Sequence, residues 1–177
     1  MRIFSAFLAA AALMTALVTS VPAQAGDDTG LPTLGREFPD FFLPDVEGRN
    51  VTLNDFKGKA IILSFWSCYS DSCFTSVRVI EELLKEYSSR GLVAPTVCSE
   101  VPPALAKNSY ADLLKRCGMG QIVLIDKDMA LTKRFGIVEF PSTYLIDRNH
   151  VVWKILIGVH PLMTEDFRLL VKSLVTE

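Results

Sequence analysis

Lys59-Ala60-Ile61-Ile62-Leu63-Ser64-Phe65-Trp66-Ser67-Cys68-Tyr69-Ser70-Asp71-Ser72-Cys73 is the stretch on which the fold turns. Its first eight residues form a nearly unbroken apolar run, as expected of a strand covered on both faces. Beyond it Val77, Ile80, Leu83, Leu84 and Tyr87 recur at helical spacing, and Ser88-Ser89-Arg90-Gly91 ends that helix. A buried strand leading straight into an amphipathic helix is the opening of an α/β layer structure.

Outward from this core the same logic continues. Upstream, Phe38-Pro39-Asp40-Phe41-Phe42-Leu43 and Arg49-Asn50-Val51-Thr52-Leu53 flank the turn residues Asp45-Val46-Glu47-Gly48, which predicts a hairpin. Downstream, residues 92–97 read as a second strand, 103–116 as a helix and 122–125 as a third strand. Residues 129–135 read as a short helical stretch. Residues 143–146 and 151–157 form a hairpin turned by Asp147-Arg148-Asn149. Thr164 is placed to cap a last helix with Phe167, Leu170, Val171 and Leu174 on its apolar face. The expected architecture is a central mixed sheet with helices on both faces and an N-terminal β-hairpin extension.

The chain has 177 residues, half of them hydrophobic, which suffices for one domain with a real core. Its 18 basic and 20 acidic residues nearly cancel, against a nucleic-acid surface driven by bulk charge. Ten glycines, nine prolines and 21% charged residues argue against a disordered or low-complexity chain. Four cysteines are too few to build the fold by disulfides, and two histidines leave little for a His-rich metal site.

The first 25 residues read as a cleaved secretory signal. Met1-Arg2 is followed by an apolar run over 3–18, and Ala23-Gln24-Ala25 has the small-x-small form of a cleavage site before Gly26. An uncleaved anchor is the alternative, since 16 residues approach spanning length. Residues 26–37 then form a loose lead-in and 38–177 the domain. All four cysteines stay in the mature chain, in a periplasmic or otherwise extracytoplasmic compartment where disulfides persist. No cofactor, metal or stable membrane anchor is expected.

The order of elements resembles a thioredoxin fold, and specifically the TlpA/ResA-like extracytoplasmic thiol–disulfide oxidoreductases. Three stretches carry the resemblance, across residues 38–174. The first is Phe38-Pro39-Asp40-Phe41 together with Leu53-Asn54-Asp55-Phe56-Lys57-Gly58-Lys59. The second is Ser64-Phe65-Trp66, where that family has Asn-Phe-Trp before its active site. The third is Phe135-Gly136-Ile137 with Phe140-Pro141-Ser142-Thr143-Tyr144-Leu145-Ile146-Asp147, similar to the segment around the family's cis-proline. The resemblance implies that Pro141 is cis and that Phe140, Tyr69 and Trp66 help to receive an extended peptide.

The active-site motif departs from the family. Where a Cys-x-x-Cys pair would open the helix, the chain has Ser70 on the first position and Cys73 on the second; Tyr69 takes the aromatic position and Cys68 lies two residues upstream of Ser70. A thiolate at a helix N-terminus is stabilised by unpaired amides and the macrodipole. A serine there has no comparable chemistry, and Ser70 is expected to cap the helix through the N–H of residue 72 or 73. Many family members carry a proton-transferring glutamate three residues past the second cysteine; here it is Ser76.

The remaining cysteines leave the pairing open. Cys68 and Cys73 form a C-x4-C pair, while Cys98, ending the strand beside 59–65, stands at the same sheet edge as Cys68. Cys117 follows the returning helix, about 13 residues and roughly 20 Å long, and is expected at the opposite edge as a buried thiol. One expectation is therefore thiol–disulfide exchange on protein thiols through Cys73 and Cys68, with Cys98 as a possible third partner. The alternative is a redox-inactive binding or scaffold module using the cis-Pro groove. A Sco-like copper carrier is a lesser alternative, because the cysteine spacing is one residue too long and neither His150 nor His160 completes the ligand set.

Overall fold

A computed structural model describes residues 30–67, 69–100 and 122–176. The expected leader (1–25), the helix expected over 103–116, Cys68 and Cys117 lie outside the described residues. The long apolar run is strand β3, Ala60–Ser67, and every one of its residues is buried. Around it the larger sheet runs β6-β5-β3-β7-β8: β5 is Thr96–Glu100, β6 Val123–Ile125, β7 Ser142–Ile146 and β8 Val152–Ile157. β5 lies parallel to β3, β6 parallel to β5, and β7 and β8 antiparallel, so the sheet is mixed as expected. The N-terminal hairpin is a separate two-stranded sheet, β1 (Phe42–Pro44) with β2 (Asn50–Thr52).

Where one strand was expected over 92–97, there are two. β4 (Leu92–Val93) and β5 both pair with β3, and Pro95 separates them. Proline has no N–H for a ladder, so the run breaks there, although its carbonyl still accepts from Ser64 N at 3.4 Å.

The two faces of β3 bury different things. Ile61, Leu63 and Phe65 point to one side, with Phe38, Phe41, Phe56, Leu131, Phe135 and Tyr144. There the rings of Phe38, Phe65, Phe135 and Tyr144 meet edge to face at centroid distances of 5.3–6.1 Å. Phe38 thus fixes the lead-in segment to the core, and burial pushes the Tyr144 phenol up. Ala60 and Ile62 point to the other side, against helix α1 (Asp71–Tyr87) and helix α3 (Glu165–Leu174). Between them Ser64 and Thr143 share a buried 2.8 Å hydrogen bond that satisfies both hydroxyls. The short helix α2 (Ala130–Arg134) covers the first side, and Thr164 Oγ1 caps α3 by accepting from Phe167 N at 3.3 Å.

The described end of the expected lead-in is tied down. Gly35 N donates to Val152 O and Val152 N to Arg36 O, both at 2.8 Å, and Phe38 N donates to His150 O at 2.7 Å. At the same end of the sheet Arg148 closes the structure. Its guanidinium donates to the carbonyls of Gly58 (3.2 Å), Arg90 (3.0 Å) and Val175 (3.2 Å).

Two stability predictions follow from these contacts. Arg148→Ala should cost about 1–2 kcal/mol of stability, read as a lower urea midpoint, and Arg148→Lys should recover little because it lacks the planar fork. In the hairpin turn, burial pushes the Asp45 carboxyl up, but hydrogen bonds from the Arg49 side chain and the Arg49 and Glu47 amides outweigh it and hold it below the usual range. Its contribution is therefore complete above the ordinary carboxylate range and is lost as pH falls below it. Asp45→Asn should lower stability at pH 7 and flatten the acid limb of a stability–pH curve.

Candidate functional site

β3 delivers the chain to the C-terminal edge of the sheet, and α1 begins four residues after β3 ends. Ser70 occupies the N-cap position with extended backbone (φ −108°, ψ 114°), as the motif alignment predicts. Its hydroxyl does not cap the helix, however. It is held by Ser72 Oγ at 2.7 Å, and the nearby amide of Cys73 bonds the Ser70 carbonyl instead, at 3.0 Å. The second hydroxyl, two residues on, competes successfully for the capping oxygen.

Cys73 sits in the first turn of α1, fully buried and free. No Cys68–Cys73 bridge is present. Cys98, also fully buried, is the cysteine held in a disulfide, and it stands beside Trp66 in the parallel ladder. Ser76, at the position of the family's glutamate, donates to Ser72 O at 3.3 Å and stays within its own helix.

A carboxylate does reach the site, from a different element. The β3–β5 ladder shifts after Trp66, so that Ser67 stands opposite Glu100. Ser67 Oγ donates to Glu100 Oε2 and accepts from Tyr69 N at 3.2 Å. Sequence reading missed Glu100. The available signal was its place two residues past Cys98, at the edge where β3 also ends.

Tyr69, Ser99, Glu100, Asp128, Met129 and Lys133 line a cavity of about 350 Å³ beside this pair. Its far wall is held in a constrained shape: Asp128 (φ 60°) and Met129 (φ 55°) are both left-handed. The fully buried Asp126 carboxylate accepts from Leu131 N (2.9 Å), Thr132 N (2.8 Å) and Thr132 Oγ1 (2.6 Å), fixing that turn onto α2.

The Phe140–Pro141 peptide bond is cis. Phe140 is half-buried and packs beside the cluster that contains both Trp66 and Cys98. Among the described residues its amide and carbonyl have no hydrogen-bond partner, whereas Pro141 O accepts from Gly158 N at 2.8 Å. Tyr69 is 64% exposed at the mouth of the site. Trp66, expected to meet substrate, is fully buried with Phe74 edge-on at 5.4 Å and cannot touch a bound peptide in this arrangement. His150 lies in the β7–β8 turn and His160 in the 3-10 turn before α3. Among the described residues no three His, Cys, Asp or Glu side chains cluster as a metal site, and no helix is long and apolar enough to cross a membrane.

The AhpC/TSA family profile matches residues 34–155, most of the chain and all of this site. The chain belongs to the AhpC/TSA family. Among its relatives, the thiol-disulfide oxidoreductase ResA of Geobacillus thermodenitrificans is 30% identical over 146 residues, 82% of each protein. The ResA of Bacillus thuringiensis is 29% identical over 116 residues, and this AhpC/TSA-family chain spans only 65% of its length. In fold, a thiol:disulfide interchange protein from Bacteroides sp. superposes with a TM-score of 0.65 over 84% of this chain and 93% of that one, at 22% identity. The thioredoxin domain of a thiol-disulfide oxidoreductase from Bacteroides vulgatus does so with a TM-score of 0.65 over 80% and 98%, at 19% identity.

Ser70 and Cys73 lie across one helical turn, a spacing that suits a disulfide of about 5.5 Å between Cα atoms. Ser70→Cys should therefore form a new bond to Cys73 and raise the rate of insulin reduction. If peptide mapping finds no such bond, the motif alignment at Ser70 is wrong.

Proposed function

We propose that this chain performs thiol–disulfide exchange on protein thiols outside the cytoplasm, through a bond between Cys98 and Cys68 in place of the lost Cys-x-x-Cys pair. The observation that carries the reading is Cys98's disulfide at the C-terminal edge of the sheet while Cys73 is free. The partner is then Cys68 or Cys117. In sequence Cys68 is the residue after the end of β3, whereas Cys117 follows the helix expected over 103–116, about 20 Å long, so Cys68 is the partner this reading takes. Membership of the AhpC/TSA family and relatives named as thiol-disulfide oxidoreductases support the same chemistry. A disulfide at Cys98 and the secretory signal expected over residues 1–25 suit an extracytoplasmic compartment.

In this mechanism a substrate thiolate attacks Cys68, forming a mixed disulfide and releasing Cys98 as a thiolate. A second substrate thiolate displaces Cys68, leaving the substrate oxidised and both cysteines reduced. Glu100, bonded to Ser67 and two residues past Cys98 on β5, serves as the proton acceptor and donor that Ser76 cannot be. The unpaired Phe140 amide and carbonyl receive the substrate backbone as an added strand.

One observation favours a second reading, a redox-silent module that binds a peptide in the same groove: Cys73 and Cys98 are both closed to solvent. Disulfide mapping by mass spectrometry across a glutathione series separates the two. For the exchange reading, the Cys98 bond joins Cys68 and opens and closes above about −250 mV, and Glu100→Gln slows opening by about 10²-fold. A bond to Cys117, or one that never opens over that range, would leave the binding module.

A further inference from the structure

The cavity beside the Ser67–Glu100 pair has a wall whose hydrogen-bonding capacity can be counted residue by residue. β5 brings Ser99 and Glu100 to it, the turn after β6 brings Asp128 and Met129, α2 brings Lys133, and Tyr69 stands at its mouth. Ser99 is 1% exposed, and its Oγ lies 2.8 Å from Thr132 Oγ1. Thr132 has one hydroxyl hydrogen, and the Asp126 carboxylate, which only accepts, takes it at 2.6 Å. The Ser99 hydrogen is therefore engaged by Thr132, and Ser99 Oγ keeps only acceptor capacity.

The rest of the wall has the same character. Glu100 Oε2 accepts from Ser67, which leaves Oε1. The Asp128 carboxylate has no hydrogen-bond or ion-pair partner among the described residues, and Met129 adds a thioether, a weak acceptor. Lys133 supplies an ammonium, which donates to Asp128 O at 3.0 Å. Two carboxylates against one ammonium leave the cavity net negative, and Tyr69, 64% exposed, offers it a ring face.

We infer that this cavity is a subsite for a guanidinium group, carried by an arginine side chain of a polypeptide or by a free alkylguanidine. Acceptors, negative charge and an aromatic face together call for a planar cation with several donors. Guanidinium has five N–H groups to share among Ser99, Glu100 and Asp128, and a flat face to stack on a phenol ring. An ammonium is a point charge with three donors and no such face. A metal ion is a poorer match, because among the described residues no three His, Cys, Asp or Glu side chains converge. At about 350 Å³ the cavity is at the small end of ligand sites, with room for one side chain. Nothing in it depends on the partner of Cys98, so the subsite goes beyond the exchange reading and adds a charge preference beside it.

The test is calorimetric titration of the folded protein with acetyl-Gly-Arg-Gly-amide, its citrulline counterpart and ethylguanidinium. Citrulline keeps the shape of arginine and removes the charge. The arginine peptide should bind at least about tenfold more tightly than the citrulline peptide, and less tightly as salt is raised. Asp128→Asn keeps a residue that tolerates the left-handed backbone (φ 60°) and should weaken the arginine peptide about fivefold or more. Lys133→Gln removes the competing charge and should tighten it. Both positions are exposed, so both variants keep the fold, and neither should change the citrulline affinity. Tighter binding of the peptide than of ethylguanidinium assigns the cation to a polypeptide, and equal binding assigns it to a free guanidine. The inference is overturned if no arginine ligand binds, if the arginine and citrulline peptides bind alike, or if both variants bind the arginine peptide as the unaltered protein does. Each of those results leaves the glutathione response of the Cys98 bond, and so the exchange reading, untouched. A Cys98 bond that never opens leaves the subsite untouched in turn.

Discussion

Burial of β3 on both faces is the constraint from which the rest of the molecule follows. A strand with all eight residues closed to solvent contacts water nowhere along its length, so chemistry can occur only at its ends. Its first end is occupied by turns and by the Arg148 clamp. Its other end is where Ser67, the start of α1, the end of β5 and the cis-proline segment converge. The alternation along β3 also decides which side each sulfur takes. Trp66 and its neighbour Cys98 lie on the side that α1 covers, while Phe65 and Val97 lie on the other with the aromatic cluster.

Much of this was legible in the residues, because it rests on period and punctuation. The apolar run at 59–66, the helical stripe after it and the two hairpins fell out as β3, α1, β1–β2 and β7–β8. The break at Pro95 was written in the sequence too, and a stricter treatment of proline in a central strand would have divided 92–97. The site was harder to read. The Ser67–Glu100 contact depends on a one-residue shift in the ladder after Trp66, and no local pattern announces a register shift between strands 33 residues apart. The capping role of Ser70 failed for a similar reason, since propensity names the capping residue but not a competing hydroxyl at Ser72.

The chain keeps its family's scaffold, and the proposed mechanism relocates the reactive groups on it. The helix N-cap that would carry the attacking thiol holds a pair of serine hydroxyls, and the position of the familiar glutamate is a hydroxyl turned into its own helix. Sulfur and carboxylate reappear together on β5, as Cys98 and Glu100. A parallel neighbour strand can supply such substitutes because its C-terminal end opens onto the same edge as β3. The scaffold therefore constrains where chemistry occurs more tightly than which residues perform it.

The Arg148 clamp has a consequence for how the molecule breathes. It fastens together segments 90, 58 and 27 residues distant in sequence, all at the end of the sheet away from Cys73 and Cys98. Fraying is thereby discouraged at one pole and left to the other, where the Phe140 amide and carbonyl have no partner among the described residues and Tyr69 stands in solvent. The clamp thus ties down the pole opposite the buried sulfurs of Cys73 and Cys98.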